Sequence, residues 1–257
     1  MKLRAIPTLL CAGALLLAPS MFSQQQADRG NVARIYWSWA RAGQVAQYEA
    51  GNKRHNEFHR QKNDPWTWQT WQVVSGNRGA QYVIGSFWHH WKDFDNTPVT
   101  SADDEADYLK NVEPYEANWR GEHLVFMPNH SLPPDSTDPY PVYVLWHVQL
   151  KPGMTDTYLS AVAKIPEAAR KAGVDWRYTF WMVADGNVSG SYYISFPYKS
   201  WGERDAQGLP FEEVLIKAYG REEAHSMQRA FDQSVASTTS MVLTHRPDLS
   251  YVPANPR

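Results

Sequence analysis

The feature that most constrains this chain is an internal repeat. A shift of 110 residues lays 34–95 over 144–205 without a gap. Gly43, Tyr48, Trp66, Trp71 and Val73 meet Gly153, Tyr158, Trp176, Trp181 and Val183. Gly76, Asn77, Tyr82, Ile84 and Trp91 meet Gly186, Asn187, Tyr192, Ile194 and Trp201. Aromatic residues falling so often into one register mark a duplicated unit, so the fold is one supersecondary unit built twice.

Each copy shows the same order of elements. In the second, Val142–Leu150 is apolar and rich in β-formers, and Lys151-Pro152-Gly153 stops it. Residues 155–171 carry Tyr158, Val162, Ile165 and Ala169 at helical spacing and end before Gly173. Strands are expected at 176–184 and 191–196, joined by the Asp185-Gly186-Asn187 turn as an antiparallel hairpin. A helical stretch at 211–237, broken at Gly220, and a strand at 241–245 complete the unit. The first copy reads as strand 34–41, helix 44–62, strands 66–75 and 80–88, a helical stretch 103–119 interrupted by proline, and strand 123–128. The order is β-α-β-β-α-β, the ferredoxin-like motif. The units span 24–132 and 141–257, with 133–140 as linker inside a proline-rich stretch. The expected class is α+β, with two tandem units packed sheet to sheet.

The N-terminus carries an address. Lys2 and Arg4 precede a short apolar run, and Ala18-Pro19-Ser20 supplies small residues for cleavage. Residues 1–23 are therefore expected to be a signal peptide and the mature protein periplasmic or secreted. The run is too short to span a bilayer, so no membrane association is expected after its removal. Cys11 is the only cysteine, so the mature chain has no disulfide, thiolate ligand or cysteine nucleophile. The net charge of −2 argues against a nucleic-acid partner.

In element order, in Lys151-Pro152-Gly153 and in the terminal Arg246-Pro247-Asp248-Leu249-Ser250, the chain resembles the dimeric α/β-barrel superfamily in its tandem form. That superfamily includes cofactor-free monooxygenases, EthD-like and NIPSNAP-like proteins, and haem enzymes such as dye-decolourising peroxidases and chlorite dismutases. The resemblance implies a pseudo-dimeric α/β barrel, as a monomer or a homodimer, and leaves the chemistry open. A Gly-x-x-Asp-Gly peroxidase motif, a Walker loop, Gly-x-Ser-x-Gly and a dinucleotide fingerprint are all missing from the sequence.

Candidate site residues come from differences between the copies. Val162, Ile165 and Ala169 of the second unit are replaced by Asn52, His55 and His59 in the first. His55 and His59 share a helical face. His89 and His90 follow the third strand, and topology is expected to bring them, with Asp93 and Asp95, to the same end. Such a cluster can hydrogen-bond locally, hold a polar organic ligand or hold a divalent metal; the expectation is no metal and no cofactor. Asp103-Asp104-Glu105 reads as a solvated acidic run at a helix start. A second candidate faces the inter-sheet space: Tyr143 and His147 on one strand face, opposite Trp37 and Trp39, with Arg177 and Tyr193 by alternation. The expected function is binding of a small organic ligand at an aromatic cavity or at the histidine-rich edge. The alternative is a cofactor-independent oxygenase with His147 as base.

Overall fold

The computed structural model describes residues 29–75, 81–136, 138–206 and 208–254. The expected signal segment and the expected turn at Gly76-Asn77 lie outside them. The first unit comprises β1 (Val32–Ala40), α1 (Val45–Gln61), β2 (Gln69–Val73), β3 (Gln81–His89), α2 (Ser101–Asn111) and β4 (Glu116–Phe126). The second comprises β5 (Val142–Leu150), α3 (Thr155–Val162), α4 (Ile165–Ala172), β6 (Thr179–Asp185), β7 (Ser191–Tyr198), α5 (Phe211–Tyr219), α6 (Arg221–Ser234) and β8 (Val235–His245). The 110-residue shift carries β1 onto β5 and the start of α2 onto the start of α5. From β4 to β8 the shift is 119, because the second unit inserts α6.

The elements depart from the sequence reading where proline and glycine intervene. The helix expected over 155–171 is two helices, with Pro166 in the first turn of α4. The stretch 103–119 is helical only to Asn111; Pro114 lies in a single turn of 3-10 helix, and β4 starts at Glu116. Gly220, at φ 83°, separates α5 from α6, and β8 starts at Val235. Both last strands are longer than expected because each lies along its unit's first strand over nearly its full length.

The strands close an antiparallel barrel in the order β1-β3-β2-β8-β5-β7-β6-β4. Each unit supplies four adjacent strands, and the units join edge to edge through β2–β8 and β4–β6. Closure removes the unpaired strand edges that an isolated unit would expose. Inward residues from both units, including Trp37, Trp71, Phe126, Leu145, Trp181, Tyr193 and Leu243, fill the axis. Trp39, Phe87, Trp88 and Tyr143 pack against them. The inter-sheet space is thus a packed core. Helices of each unit cover the outer faces, and among the described residues no helix is long and apolar enough to cross a membrane.

Each unit also sends its tail across to the other. Leu132, after β4, bridges Tyr178 ahead of β6, and Tyr251, after β8, bridges Trp68 ahead of β2. Ser131 Oγ accepts from Phe180 N–H, and Ser250 Oγ accepts from Thr70 N–H, each at 2.9 Å. The tail of the second unit is further tied by Arg246, whose Nη1 and Nη2 donate to Glu49 of α1 at 2.6 and 2.9 Å. A bidentate, partly buried pair is stronger than a surface salt bridge. Arg246→Ala and Glu49→Ala should each lower stability by roughly 1–3 kcal/mol, and the double variant by less than their sum. Urea denaturation in a double-mutant cycle measures the coupling; additive losses would show that the pair does not join the units.

Candidate functional site

The histidine-rich part of the first unit lies between α1 and α2. The helices meet closely at Gly51, where a Cβ would lie 2.1 Å from the Asn111 carbonyl oxygen. One turn on, His55 Nδ1 lies 2.8 Å from Asp107 Oδ1, and one turn further His59 Nδ1 lies 2.8 Å from Asp64 Oδ2. Asp64 is fixed by other donors: Trp66 N–H to Oδ1 at 2.9 Å, Trp68 Nε1–H to Oδ2 at 3.2 Å, and the Tyr251 hydroxyl to its backbone carbonyl at 2.7 Å. Asp107 also accepts from Asn111 Nδ2 at 3.0 Å. A carboxylate only accepts, so each Nδ1 carries a hydrogen, and in the neutral imidazole Nε2 is then the lone-pair nitrogen.

Both Nε2 atoms converge on one atom. Asp104 Oδ1 is 3.4 Å from His55 Nε2 and 3.4 Å from His59 Nε2. It is buried and makes no regular hydrogen bond. His59 is 4% exposed, whereas the Asp104 side chain is 41% exposed and opens the cluster to solvent. Burial, then the neighbouring His59, holds His55 below the usual histidine range, against the raising effect of Asp107 and Asp104. The acidic run is therefore divided: Asp103 meets Lys62 at 3.1 Å on the surface, and Asp104 turns inward.

The second histidine pair does not join this cluster. Val32 pairs with His89 and Arg34 with Ser86, a register shift accompanied by Trp88 in a left-handed conformation, φ 71°. The bulge sends Trp88 into the barrel against Phe126 and Trp181, and His89 beneath Trp66 at 4.0 Å. His89 Nε2 bonds the Ser86 hydroxyl at 2.7 Å, and burial pushes its imidazole down to about 4. Trp66 and Trp68 lie between it and His59. His90 is exposed, with its N–H donating to Asp93 Oδ2 at 2.7 Å. Asp93 closes that turn.

Near the cluster the outer face of the first sheet is aromatic. Tyr36 lies 6.2 Å from Trp68 and 6.0 Å from Trp119. Gly121 leaves room between the last two, since a Cβ there would lie 3.2 Å from the Tyr36 ring. Arg34 stacks over Phe94 at 4.6 Å and donates to His123 Nε2 at 3.3 Å. His123 also meets Trp91 at 5.6 Å and Asp185 at 2.8 Å. Trp119 and Trp91 remain 55% and 50% exposed.

Inside the barrel, His147 faces Tyr193 at 4.9 Å, and the Tyr193 hydroxyl donates to Glu122 at 3.4 Å. Glu122 is fully buried, paired with Arg120 at 2.8 Å and hydrogen-bonded by Trp37 and Asn187. Burial raises its pKa, against the lowering effect of those partners. Tyr143 lies elsewhere in the core, beside Trp71, its hydroxyl accepting from Tyr140 N–H. Arg177 lies outside, paired with Asp175 and Asp135. The sequence reading missed Asp104, Asp64, Glu122 and the Arg34–His123 face. Only the repeat register pointed to Asp104, which falls opposite Val214.

A third polar group lies under α1. Glu116 accepts from the hydroxyls of Ser38 and Tyr108, and Ser38 also meets the Tyr48 hydroxyl at 2.5 Å. Burial raises Glu116 to about 7, against a smaller lowering effect of Ser38. Because its folded value lies above its unfolded one, Glu116 favours the fold fully below about 4.5, and that contribution is lost as pH rises through about 7. The change is roughly 3 kcal/mol over the window. Unfolding at pH 4.5 and pH 8 should show a smaller loss for Glu116→Gln than for wild type; identical losses would refute the assignment.

Neither a family model nor a curated protein matches this sequence. Solved structures do. A monooxygenase-like protein from Lactobacillus acidophilus NCFM aligns over 86% of this chain and 96% of its own, at TM-score 0.54 and 12% identity. An anthrone oxidase-like protein aligns over 86% and 93%, at 0.54 and 14%. A second monooxygenase-like protein, from Fusobacterium nucleatum, aligns over 83% and 91%, at 0.50 and 9%. The fold these structures share with the chain is the dimeric α/β barrel, with both halves supplied here by one chain.

Proposed function

We propose that the protein is exported and binds a small planar organic molecule on the aromatic outer face of its first unit, between Tyr36, Trp119 and Arg34. The observation that carries this is the half-exposed Trp119 and Trp91 flanking a guanidinium and an imidazole on one sheet face. Large exposed aromatics grouped around a few polar groups mark a ligand surface. Gly121 lets the Tyr36 and Trp119 rings lie close to the sheet, and Arg34 and His123 select a carboxylate, phenolate or carbonyl. The filled barrel axis favours this face over the inter-sheet space. No metal or cofactor is needed for such binding.

Oxygenase-type turnover is the second reading. It is favoured by the half-buried His147 in ring contact with the buried Tyr193, whose hydroxyl donates to the buried Glu122, titratable groups in an apolar setting. The names of the solved relatives agree with it.

Native mass spectrometry of the protein isolated from its own host should show a copurifying organic ligand, and the mature mass should lack the signal segment. With a planar aromatic carboxylate as fluorescence probe, Trp119→Ala should weaken binding about tenfold, in line with one stacked ring. Arg34→Ala should do so selectively for anionic probes. Unchanged affinity in both variants overturns the binding face. Oxygen uptake lost in His147→Ala with probe binding retained would favour turnover.

A further inference from the structure

We propose that His55 Nε2, His59 Nε2 and Asp104 Oδ1 form a binding site for one divalent first-row transition-metal ion of the Zn²⁺ and Fe²⁺ class. The three atoms lie within 4.8 Å of one another. Two of the three separations already match such an ion. Ligand atoms about 2.1 Å from a tetrahedral ion are about 3.4 Å apart, and both nitrogen-to-oxygen separations are 3.4 Å.

The electrostatics point the same way. Asp107 and Asp64 hold the two Nδ1 hydrogens, so in the neutral imidazoles that a metal requires both Nε2 atoms are lone pairs facing a carboxylate oxygen. Three acceptors around one point, with no regular hydrogen bond to Asp104 Oδ1, call for a cation. Carboxylate partners on the far nitrogens of two neighbouring histidines are also the arrangement that orients imidazoles toward a metal. Two imidazoles and a carboxylate suit a borderline divalent ion better than Ca²⁺ or Mg²⁺. Three protein ligands leave coordination positions on the Asp104 side, where the cluster is open to solvent.

The second unit is an internal control. The 110-residue shift replaces His55, His59 and Asp104 by Ile165, Ala169 and Val214, and Asp64 and Asp107 by Val174 and Lys217. Val214 is fully buried there, with Ile165 and Val174 packed against the same cluster. The fold itself therefore joins its two helices through an apolar contact at this position. The first unit has exchanged that contact for three ligands and both of their orienting carboxylates.

This inference does not depend on the organic-ligand reading, and its test needs no substrate. The full-length chain, without a histidine tag, is stripped with EDTA and titrated with Zn²⁺ and with Co²⁺. Expected are one ion per chain, a Tm higher with metal than after stripping, and a visible Co²⁺ spectrum of low coordination number. Asp104→Asn, at a partly exposed helix position, should weaken binding at least tenfold without lowering the Tm of the stripped protein. Asp64→Asn should weaken it about 10–100-fold by releasing the His59 tautomer. The combined His55→Ile, His59→Ala and Asp104→Val variant, which installs the second unit's residues, should bind no ion and show a Tm indifferent to EDTA. Absence of binding by wild type, or equal stoichiometry and affinity in wild type and Asp104→Asn, overturns the proposal.

Discussion

Everything in this structure depends on edge pairing between the two units. A four-stranded ferredoxin-like sheet has two open edges and one uncovered face, and neither copy can hide them alone. Pairing β2 with β8 and β4 with β6 satisfies both edges at once, and the same closure brings the bare faces together around Trp37, Trp71 and Trp181. The crossing tails extend the exchange beyond the barrel. Trp68 and Tyr178, each just before a short strand, receive their backbone partners from the other unit.

With the barrel axis filled, the copies are free to differ in their helical layers. The second unit packs α4 and α5 through Ala168, Ala172, Val214 and Leu215, and adds α6. The first lacks that helix and fills the corresponding layer with ionisable groups: Glu116 under α1, and His55, His59, Asp104 and Asp107 between α1 and α2. Burying these side chains is costly unless each finds a partner. The close approach at Gly51 and the frame around Asp64 supply those partners. Half of the duplicated chain thus holds conventional apolar packing, and the other half holds the polar constellations.

Most of the fold was legible because a repeat doubles each weak local signal. Gly43 and Gly153 both take positive φ at the same turn, and Tyr48 and Tyr158 are both buried beneath the first helices. Errors fell where one residue overrides a periodic pattern, as Pro166 and Pro114 do, and where long-range pairing lengthens β4 and β8. The site was only half legible. His55 and His59 stood out against Ile165 and Ala169, but topology alone, which placed His89 at their end of the unit, does not announce the bulge at Trp88 or the packing of His89 beneath Trp66. Asp104 resembled any acidic helix start until its counterpart was seen to be the buried Val214. Asp64 and Asp107 were invisible, since their roles come from helix packing and not from spacing.

The segment that carries Tyr251 across to the first unit sets an order of assembly. Its hydroxyl donates to the Asp64 carbonyl, and its ring stacks on His59 at 5.8 Å. Asn56 is held by the Leu249 carbonyl, and Glu49 by Arg246. The histidine cluster of the first unit is therefore finished by residues that a ribosome adds only after β8 of the second unit. A nascent chain carrying the whole first unit still lacks one wall of that cluster. Any ion or ligand that depends on that wall therefore meets its finished site only after both units have been made.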